Sequence, residues 1–417
     1  MHMPIGLKIN MLTRCALLSL SVSMGMGMAM AMPSPKLNVY DVTRYGIIDN
    51  ERIDIGQALS KAWKKACAME TGINKVLIPK GKYMLGMVEL TGPCKTDMRL
   101  EIKGTLKAPI DLDGDRWISF KGIDRFKIFG HGTLDGQGSL AWKKNNCAKD
   151  PNCDPLPISV RFNSVNNSII QDVTSVNSKN FNFNLLNCHN MLFNQITVIA
   201  PESSINTDGI HVGRSSEIRI MNSKIGTGDD CISIGDGTRN LNITGVICGP
   251  GHGISIGSLG RYENEQPVTG IYVSKCKISN TDQGIRIKTW AALQPNVASN
   301  LHFEDIVMDN VSIPILIDQL YCPSGECNNK GASKVKINDV SFKNIRGTSS
   351  SPTGVKLQCS SGLPCQNVDL ININIKYNGN QAPAKIEYTN VKPKFIGTHH
   401  PPTKPIPIRM LMFQQTT

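Results

Sequence analysis

The chain of 417 residues is poor in aromatic side chains and in charge. Aromatic residues make up 6% of it, which argues against a core packed mainly from aromatic rings, and charged residues make up 19%. Beyond residue 31 no segment approaches the roughly 18 consecutive apolar residues of a membrane-spanning helix, so we expect no membrane partner. The chain does contain 40% hydrophobic residues, which predicts a globular fold and excludes wholesale disorder.

Residues 1–31 have the features of a secretory signal peptide. Lys8 and Arg14 give a basic start, a run of apolar and small residues follows, and Ala29–Ala31 fits a small-x-small cleavage site. A membrane anchor is the alternative, but the apolar stretch is short and rich in Ser, Gly and Met. We therefore expect a secreted protein of the extracellular space or cell wall.

The cysteines support an exported chain. Removing the signal removes Cys15 and leaves an even number, which predicts disulfides. The candidate pairs are Cys67/Cys94, Cys147/Cys153, Cys231/Cys248, Cys322/Cys327 and Cys359/Cys365. Cys188 and Cys276 lie in strand-like apolar runs and are candidates for buried free thiols, and spacing alone leaves the connectivity open.

The net charge of +12 predicts an acidic partner. The chain carries no nucleic-acid motif, and export makes nucleic acid an unsuitable partner, so an acidic polysaccharide fits better. Three N-x-S/T sequons are candidate glycosylation sites in an exported chain: Asn166, Asn242 and Asn310.

Short Ile- and Val-rich segments recur after Val76 with a period of about 21 to 25 residues. One set comprises Ile218–Ile225, Leu241–Ile247, Ile271–Ile278 and Val335–Phe342. A second set interleaves with it and comprises Gly209–Val212, Cys231–Ile234, Gly253–Ile256, Gly284–Ile287 and Ile315–Ile317. This period predicts an all-β fold, a right-handed parallel β-helix whose coils stack about 4.8 Å apart. A β-sandwich and a β-propeller are the alternatives, but a propeller needs about 40 residues per blade and its signatures are missing.

One amphipathic helix is predicted at Asp54–Cys67, where it would cap the start of the coil stack. We therefore divide the chain into a signal at 1–31, a single β-helix catalytic domain at 32–397 and a Pro-rich, extended tail at 398–417, and we expect a monomer. Asparagines at Asn222, Asn242 and Asn338 are expected at left-handed turn positions.

Three aspartates and a histidine recur at the spacing of one coil. Asp208 and Asp229 are 21 residues apart, and Asp229 and His252 are 23 apart, so all should meet on the surface of a solenoid. Neighbouring residues of a strand face opposite sides. Asp229 and Asp230 can therefore reach one cleft only if the chain bends, which Gly228 permits.

Clustered carboxylates are suited to glycoside hydrolysis, which needs a protonated acid and an ionised base. Their mutual repulsion should raise at least one pKa, and the raised group would be the natural acid, tuned by His252. Arg286 and Lys288 alternate along a strand and would suit a substrate that carries carboxylates; a surface ion pair with the aspartates is the alternative. A calcium site is also possible in principle, but it has little use for nearby cations, so we expect no metal and no cofactor.

With these residues the chain resembles the plant polygalacturonases of glycoside hydrolase family 28. The motifs NTDG, GDD, GHG and RIK occur in the family's order, and Ile225–Gly235 and Cys248–Ser258 are similar to the family almost letter for letter. The resemblance runs from about Val39 to Pro393 and is closest to pollen-type members, which tend to be exopolygalacturonases. Asn182 departs from it, because plant members usually have His there.

The resemblance implies inverting hydrolysis of the α-1,4-galacturonosyl bonds of polygalacturonate without a metal. It makes Asp229 the general acid, Asp208 and Asp230 the pair that activates water, and His252 a support for the acid. It places the galacturonate on Arg286, Lys288 and Tyr321. An endo-acting enzyme, a non-catalytic wall-binding β-helix and a calcium-dependent pectate lyase remain the alternatives.

The one-coil spacing conflicts with inversion. Backbones one coil apart are about 4.8 Å from each other. Acid and base are about 6.5–9.5 Å apart in inverting enzymes and about 5–5.5 Å apart in retaining ones, so spacing alone favours retention. We follow the resemblance, which implies inversion.

Overall fold

The computed structural model describes residues 36–46, 53–144, 153–291, 294–323, 331–380 and 383–402. The predicted signal at 1–31 and most of the tail predicted at 398–417 lie outside these residues. Cys147 and Cys327, each one partner of a predicted disulfide, also lie outside them. In the part that is described, no helix is long and apolar enough to cross a membrane.

Helices are few and short among the described residues. A 3-10 turn covers Val42–Tyr45, α1 covers Gly56–Cys67 and α2 covers Ser139–Lys144. The prediction of α1 as an N-terminal capping helix is confirmed, because its face of Ala58, Leu59, Ala62, Trp63 and Ala66 is buried in the main core. The helix α2 was not predicted, because six residues are too few to show a helical period.

Most of the other regular structure in the described residues consists of strands, the majority of them short. In chain order these are β1 Leu37–Asp41, β2 Ile73–Ile78, β3 Lys82–Met84, β4 Val88–Thr91, β5 Met98–Ile102, β6 Thr105–Lys107, β7 Arg116–Lys121, β8 Phe126–Phe129, β9 Thr133–Asp135, β10 Ile158–Asn163, β11 Asn166–Gln171, β12 Thr174–Val176, β13 Phe183–Leu186, β14 His189–Asn194, β15 Thr197–Ile199, β16 Ile210–Gly213, β17 Ser216–Met221, β18 Lys224–Gly226, β19 Ile232–Ile234, β20 Arg239–Thr244, β21 Ile247–Cys248, β22 Ile254–Leu259, β23 Val268–Ser274, β24 Lys277–Ser279, β25 Gln283–Trp290, β26 Asn296–Val311, β27 Ile313–Tyr321, β28 Val335–Ser349, β29 Thr353–Gln358, β30 Gln366–Ile371, β31 Asn374–Tyr377, β32 Lys385–Thr389 and β33 Lys394–Ile396.

These strands stack as three parallel ladders, one strand of each per coil. The first ladder runs from β1 and β2 through β17 and β20 to β33, and the second from β3 and β6 through β18 and β21 to β31. The long strands β26 and β28 bend from the first ladder into the second and join them. The third ladder runs from β4 through β16, β19, β22 and β25 to β32. The predicted parallel β-helix is confirmed.

The core is a column of aliphatic side chains. In the third ladder Ile210, Ile232, Ile254, Ile285 and Ile315 stack in register, and each is at most 1% exposed. Burying each such side chain contributes about 1.5–3 kcal/mol. Some aromatic rings stack within this column, such as Phe120 on Phe162 with centroids 5.3 Å apart.

Residues with a left-handed backbone conformation bend the chain, both between strands and within them. Asn222 has φ of 50°, as predicted. The predictions for Asn242 and Asn338 were wrong, because neither residue has a positive φ; the left-handed residues nearby are Asn240 (φ 54°) and Asp339 (φ 56°). The error arose because the recurrence of apolar residues indicates that the chain bends but places each bend only to within one or two residues.

The disulfides Cys67–Cys94, Cys231–Cys248 and Cys359–Cys365 are formed as predicted. Cys188 and Cys276 are buried free thiols, which is also as predicted. The bridge between Cys231 and Cys248 matters most for function, because Cys231 follows directly on the paired aspartates and is fully buried beneath them.

Candidate active site

The predicted site residues lie in turns that precede strands of the third ladder. Asp208 is two residues before β16, Asp230 two before β19 and His252 two before β22. These strands pair without a shift, at a step of 22 residues, so the three side chains belong to successive coils. Asp229 lies one position earlier. The prediction that Asp229 lies directly beside Asp208 is therefore wrong by one residue, since Asp230 holds that position.

The chain bends at Gly228, as predicted, but for a different reason. A Cβ at this position would lie 2.1 Å from the carbonyl oxygen of Ser204, so glycine is required by close approach and not by a left-handed conformation. The Oδ1 atom of Asp229 accepts a hydrogen bond from the backbone N–H of Asp230 at 2.7 Å, which fixes the bend. Both aspartates consequently reach the same cleft.

Asp230 is held as a carboxylate by two cations and a hydroxyl. Arg286 donates to Oδ1 at 2.7 Å, Lys288 donates to Oδ2 at 2.9 Å, and Ser255 donates to Oδ1 at 2.6 Å. Burial on its own would raise the pKa of Asp230, but the charges of Lys288 and Arg286 outweigh it and hold that pKa below its usual value. Arg286 and Lys288 thus form an ion pair with an aspartate in the free protein, which was the alternative to substrate binding. The pair is buried and not on the surface.

Asp208 lies in the opposite electrostatic environment. It is buried, and Ser233 donates a hydrogen bond to its Oδ2 at 2.6 Å. Burial, followed by the charges of Asp229 and Asp230, raises the pKa of Asp208 well above its usual value. The carboxyl whose pKa is raised is thus Asp208, with burial as the larger cause and clustering as the smaller one, whereas the resemblance assigns the general acid to Asp229.

Two serines in register support the two buried aspartates, and neither was predicted from the sequence. Ser233 and Ser255 pair across β19 and β22, and each donates to an aspartate 25 residues earlier. Because each hydroxyl proton is used in this way, Ser255 accepts from Nε of Arg286 at 2.9 Å and Ser233 accepts from Nδ1 of His211 at 2.8 Å. The repeated Ile-Ser-Ile of these strands was the available signal.

His211 is neutral in this arrangement. Burial lowers its pKa to about 4, so the ring carries one proton, which must lie on Nδ1 for it to donate to Ser233. The ring also stacks on Phe181, with centroids 5.1 Å apart. His211 therefore orients the serine that supports Asp208.

Asp229 contacts His252 and faces the cleft. The Nδ1 atom of His252 is 3.0 Å from Oδ1 of Asp229, and this hydrogen bond is the main cause of the raised pKa of His252. The Nε2 atom of His252 is 3.6 Å from Oδ2 of Asp282, an exposed carboxylate that was not predicted as a site residue. Asp229 is thus the most exposed of the three clustered carboxylates and has a histidine beside it.

One group of these side chains could in principle hold a metal ion. Ligand atoms of Asp229, Asp230 and His252 lie within 4.8 Å of one another. However, both oxygens of Asp230 already accept hydrogen bonds from cationic side chains, so a metal ion would have to displace Arg286 or Lys288 and then sit beside its charge. The donor set therefore does not favour a metal.

The cleft has an empty volume of about 1110 Å³. It is lined by the three clustered aspartates and by Lys288 and Tyr321, and the ammonium nitrogen of Lys288 is 5.3 Å from the centroid of the Tyr321 ring. Arg286 and His252 are not among the residues that line the cleft, but they contact Asp230 and Asp229 respectively. The seven residues predicted from the sequence therefore form one cluster.

A parallel β-helix with an open cleft, into which three carboxyl groups converge and in which one of them is fixed as a carboxylate by two cations, is suited to hydrolysing a polysaccharide. The profile of glycosyl hydrolases family 28 matches residues 67–397. The chain belongs to this family, so it is a glycoside hydrolase, and the resemblance inferred from its motifs is confirmed.

Individual relatives agree with this assignment. An exopolygalacturonase of Arabidopsis thaliana is 51% identical over 362 residues, which cover 86% of this chain and 81% of that protein. An exopolygalacturonase of Oenothera organensis is 49% identical over 84% of this chain and 97% of its own length. Among solved structures, the endo-xylogalacturonan hydrolase of Aspergillus tubingensis has a TM-score of 0.76 at 22% identity, covering 87% of this chain and all of that one, which supports the fold alone.

Proposed function

We propose that the protein is a secreted polygalacturonase that hydrolyses α-1,4-galacturonosyl bonds by inversion and acts from a chain end. The observation that carries the proposal is the opposed pair of buried carboxyls, Asp208 with a raised pKa and Asp230 with a lowered one, beside the half-buried Asp229 in one cleft. Relatives about half identical over most of their length are named exopolygalacturonases, which supports both the substrate and the exo mode. The disulfides support export.

In this mechanism Asp229 is the general acid. Its carboxyl proton moves to the glycosidic oxygen as the bond from that oxygen to the anomeric carbon breaks. Asp229 suits this role because it lines the cleft, and His252 orients its carboxyl through the 3.0 Å hydrogen bond. The leaving sugar departs with the proton as a free hydroxyl group.

Water attacks the anomeric carbon from the opposite side and loses a proton to Asp208. Of the two buried aspartates Asp208 is the stronger base, because its pKa is raised, whereas Lys288 and Arg286 make Asp230 a weak one. Asp230 instead accepts a hydrogen bond from the water and holds it in line. Asp208 must therefore be ionised, and Asp229 protonated, in the active form.

Lys288, Arg286 and Tyr321 are proposed to hold the galacturonate. Lys288 and Tyr321 line the cleft and can touch a sugar directly. Arg286 is committed to Asp230 and Ser255, so its main contribution is to hold Asp230 as a carboxylate, and any contact with the substrate is made from that position. We also propose that the protein acts as a monomer.

A timed product profile on polygalacturonate tests the proposal. Galacturonate as the sole early product is expected, with the β anomer forming first in an NMR time course. Mixed oligomers from the start would instead make the enzyme endo-acting, and an initial α anomer would contradict inversion. Unsaturated products that absorb in the ultraviolet and disappear with a chelator would make it a lyase.

A further inference from the structure

The cations predicted to bind substrate already have partners in the free protein. Lys288 and Arg286 both donate to the carboxylate of Asp230, at 2.9 and 2.7 Å. Polygalacturonate carries a carboxylate on every sugar, and each carboxylate that enters the cleft loses solvation and needs a cationic partner. A further cation in the cleft, without a carboxylate of its own, would meet this need.

Arg261 has these properties. It lies in the loop that follows β22, lines the cleft and is exposed. Its guanidinium carbon is 5.1 Å from the centroid of the Tyr262 ring and 5.0 Å from that of the Trp290 ring. Within the described part of the chain, no carboxylate forms an ion pair with it.

The acidic side chains of the same cleft wall are engaged elsewhere. Glu265 accepts hydrogen bonds from the backbone N–H groups of Gly260, Arg261 and Tyr262 at 2.6 to 2.9 Å, and from Asn296 at 2.9 Å. Asp236 pairs with the exposed Arg214, which is not among the residues lining the cleft. The loop is thus fixed by Glu265, while the guanidinium of Arg261 remains available.

We propose that Arg261 binds the carboxylate of a galacturonate residue, an inference that rests on the proposed function. Rings beside a guanidinium leave its N–H edge free, and this planar edge matches the two oxygens of a carboxylate. The clustered aspartates line the cleft from turns that precede strands of the third ladder, and Arg261 lines it from the loop that follows β22. A sugar chain bound along the cleft can therefore contact both the aspartates and Arg261.

The test compares Arg261→Gln, Arg261→Lys and Arg219→Gln in the full-length secreted protein. Arg219 is an exposed arginine of β17 in the first ladder, so its variant removes the same charge away from the cleft. With trigalacturonate, Arg261→Gln should lower kcat/KM by roughly tenfold to a hundredfold, the range of a charge-assisted hydrogen bond, and mainly through KM. Arg261→Lys should recover part of this loss, and Arg219→Gln should stay within about twofold of the wild type.

Binding measurements then separate charge from loop structure. In the Asp229→Asn background, calorimetry with trigalacturonate and with its methyl ester should show that Arg261→Gln weakens binding of the acid and leaves binding of the ester unchanged. Equal weakening for both ligands, or none for either, would overturn the inference. Failure of the wild type to hydrolyse polygalacturonate would instead refute the proposed function.

Discussion

Replacing Ser233 by alanine tests which carboxyl acts as the base. Ser233 donates the 2.6 Å hydrogen bond that favours the ionised form of Asp208. Its loss therefore raises the pKa of Asp208 further. If Asp208 works as the ionised base, the acidic limb of the profile of kcat/KM against pH moves to higher pH, and the basic limb stays in place.

The magnitude follows from the bond that is lost. A hydrogen bond to a charged group contributes about 1.5–3 kcal/mol, and about 1.4 kcal/mol corresponds to a factor of ten. At a pH on the acidic limb, kcat/KM of Ser233→Ala should therefore fall roughly tenfold to a hundredfold below the wild type. At a pH above this limb the two should approach each other.

Ser255→Ala is the matched control. Ser255 occupies the same position one coil later and donates to Asp230, but Arg286 and Lys288 also hold that carboxylate. Its removal should leave the acidic limb nearly unmoved. The assay is initial-rate hydrolysis of trigalacturonate across pH for the wild type and both variants.

Two results would refute the reasoning. If Asp208 were the acid, the raised pKa would extend activity to higher pH, so the basic limb would move and the acidic limb would not. A loss of equal size at every pH would mean that Ser233 acts on packing or on His211 and not on the ionisation of Asp208.

Three further predictions concern stability and modification. Lys288→Met breaks a buried ion pair and should lower the free energy of unfolding, measured by urea titration, by about 3 kcal/mol. Adding Asp230→Asn should recover part of this loss. An unchanged unfolding midpoint in Lys288→Met would contradict a stabilising buried pair. Replacing both Cys231 and Cys248 by alanine opens a 17-residue loop and should cost about 3 kcal/mol, a difference that should vanish when both proteins are reduced. In a secretory host, peptide mass spectrometry should find a glycan on the exposed Asn242 and none on Asn310, whose side-chain amide donates to Asn280 at 2.9 Å.

Much of the fold could be predicted from the sequence because a β-helix repeats. Apolar positions such as Ile210 and Ile232 recur once per coil, and the helix at Asp54–Cys67 has a clear amphipathic period. The period does not give the register to a single residue, because turns vary in length. This is why Asp229 was placed beside Asp208, and why Asn242 and Asn338 were placed at bends.

The site could be predicted as a set of residues but not as a network of contacts. Asp230 and its cations are 56 and 58 residues apart, and only the folded coils show that Arg286 and Lys288 share its two oxygens. Ser233 and Ser255 were missed because serine is common in strands and has no chemistry of its own until it lies beside a carboxylate. Arg261 was missed because its loop interrupts the repeat.

The most direct test of the central claim is the release of reducing ends from polygalacturonate by purified wild type and Asp229→Asn. We expect the wild type to release them steadily, and the variant, folded as judged by circular dichroism and urea unfolding, to be slower by roughly 10²–10⁴-fold, the contribution of a general acid. Equal rates for the two proteins would contradict the assignment of Asp229 as the acid and, with it, the proposed mechanism.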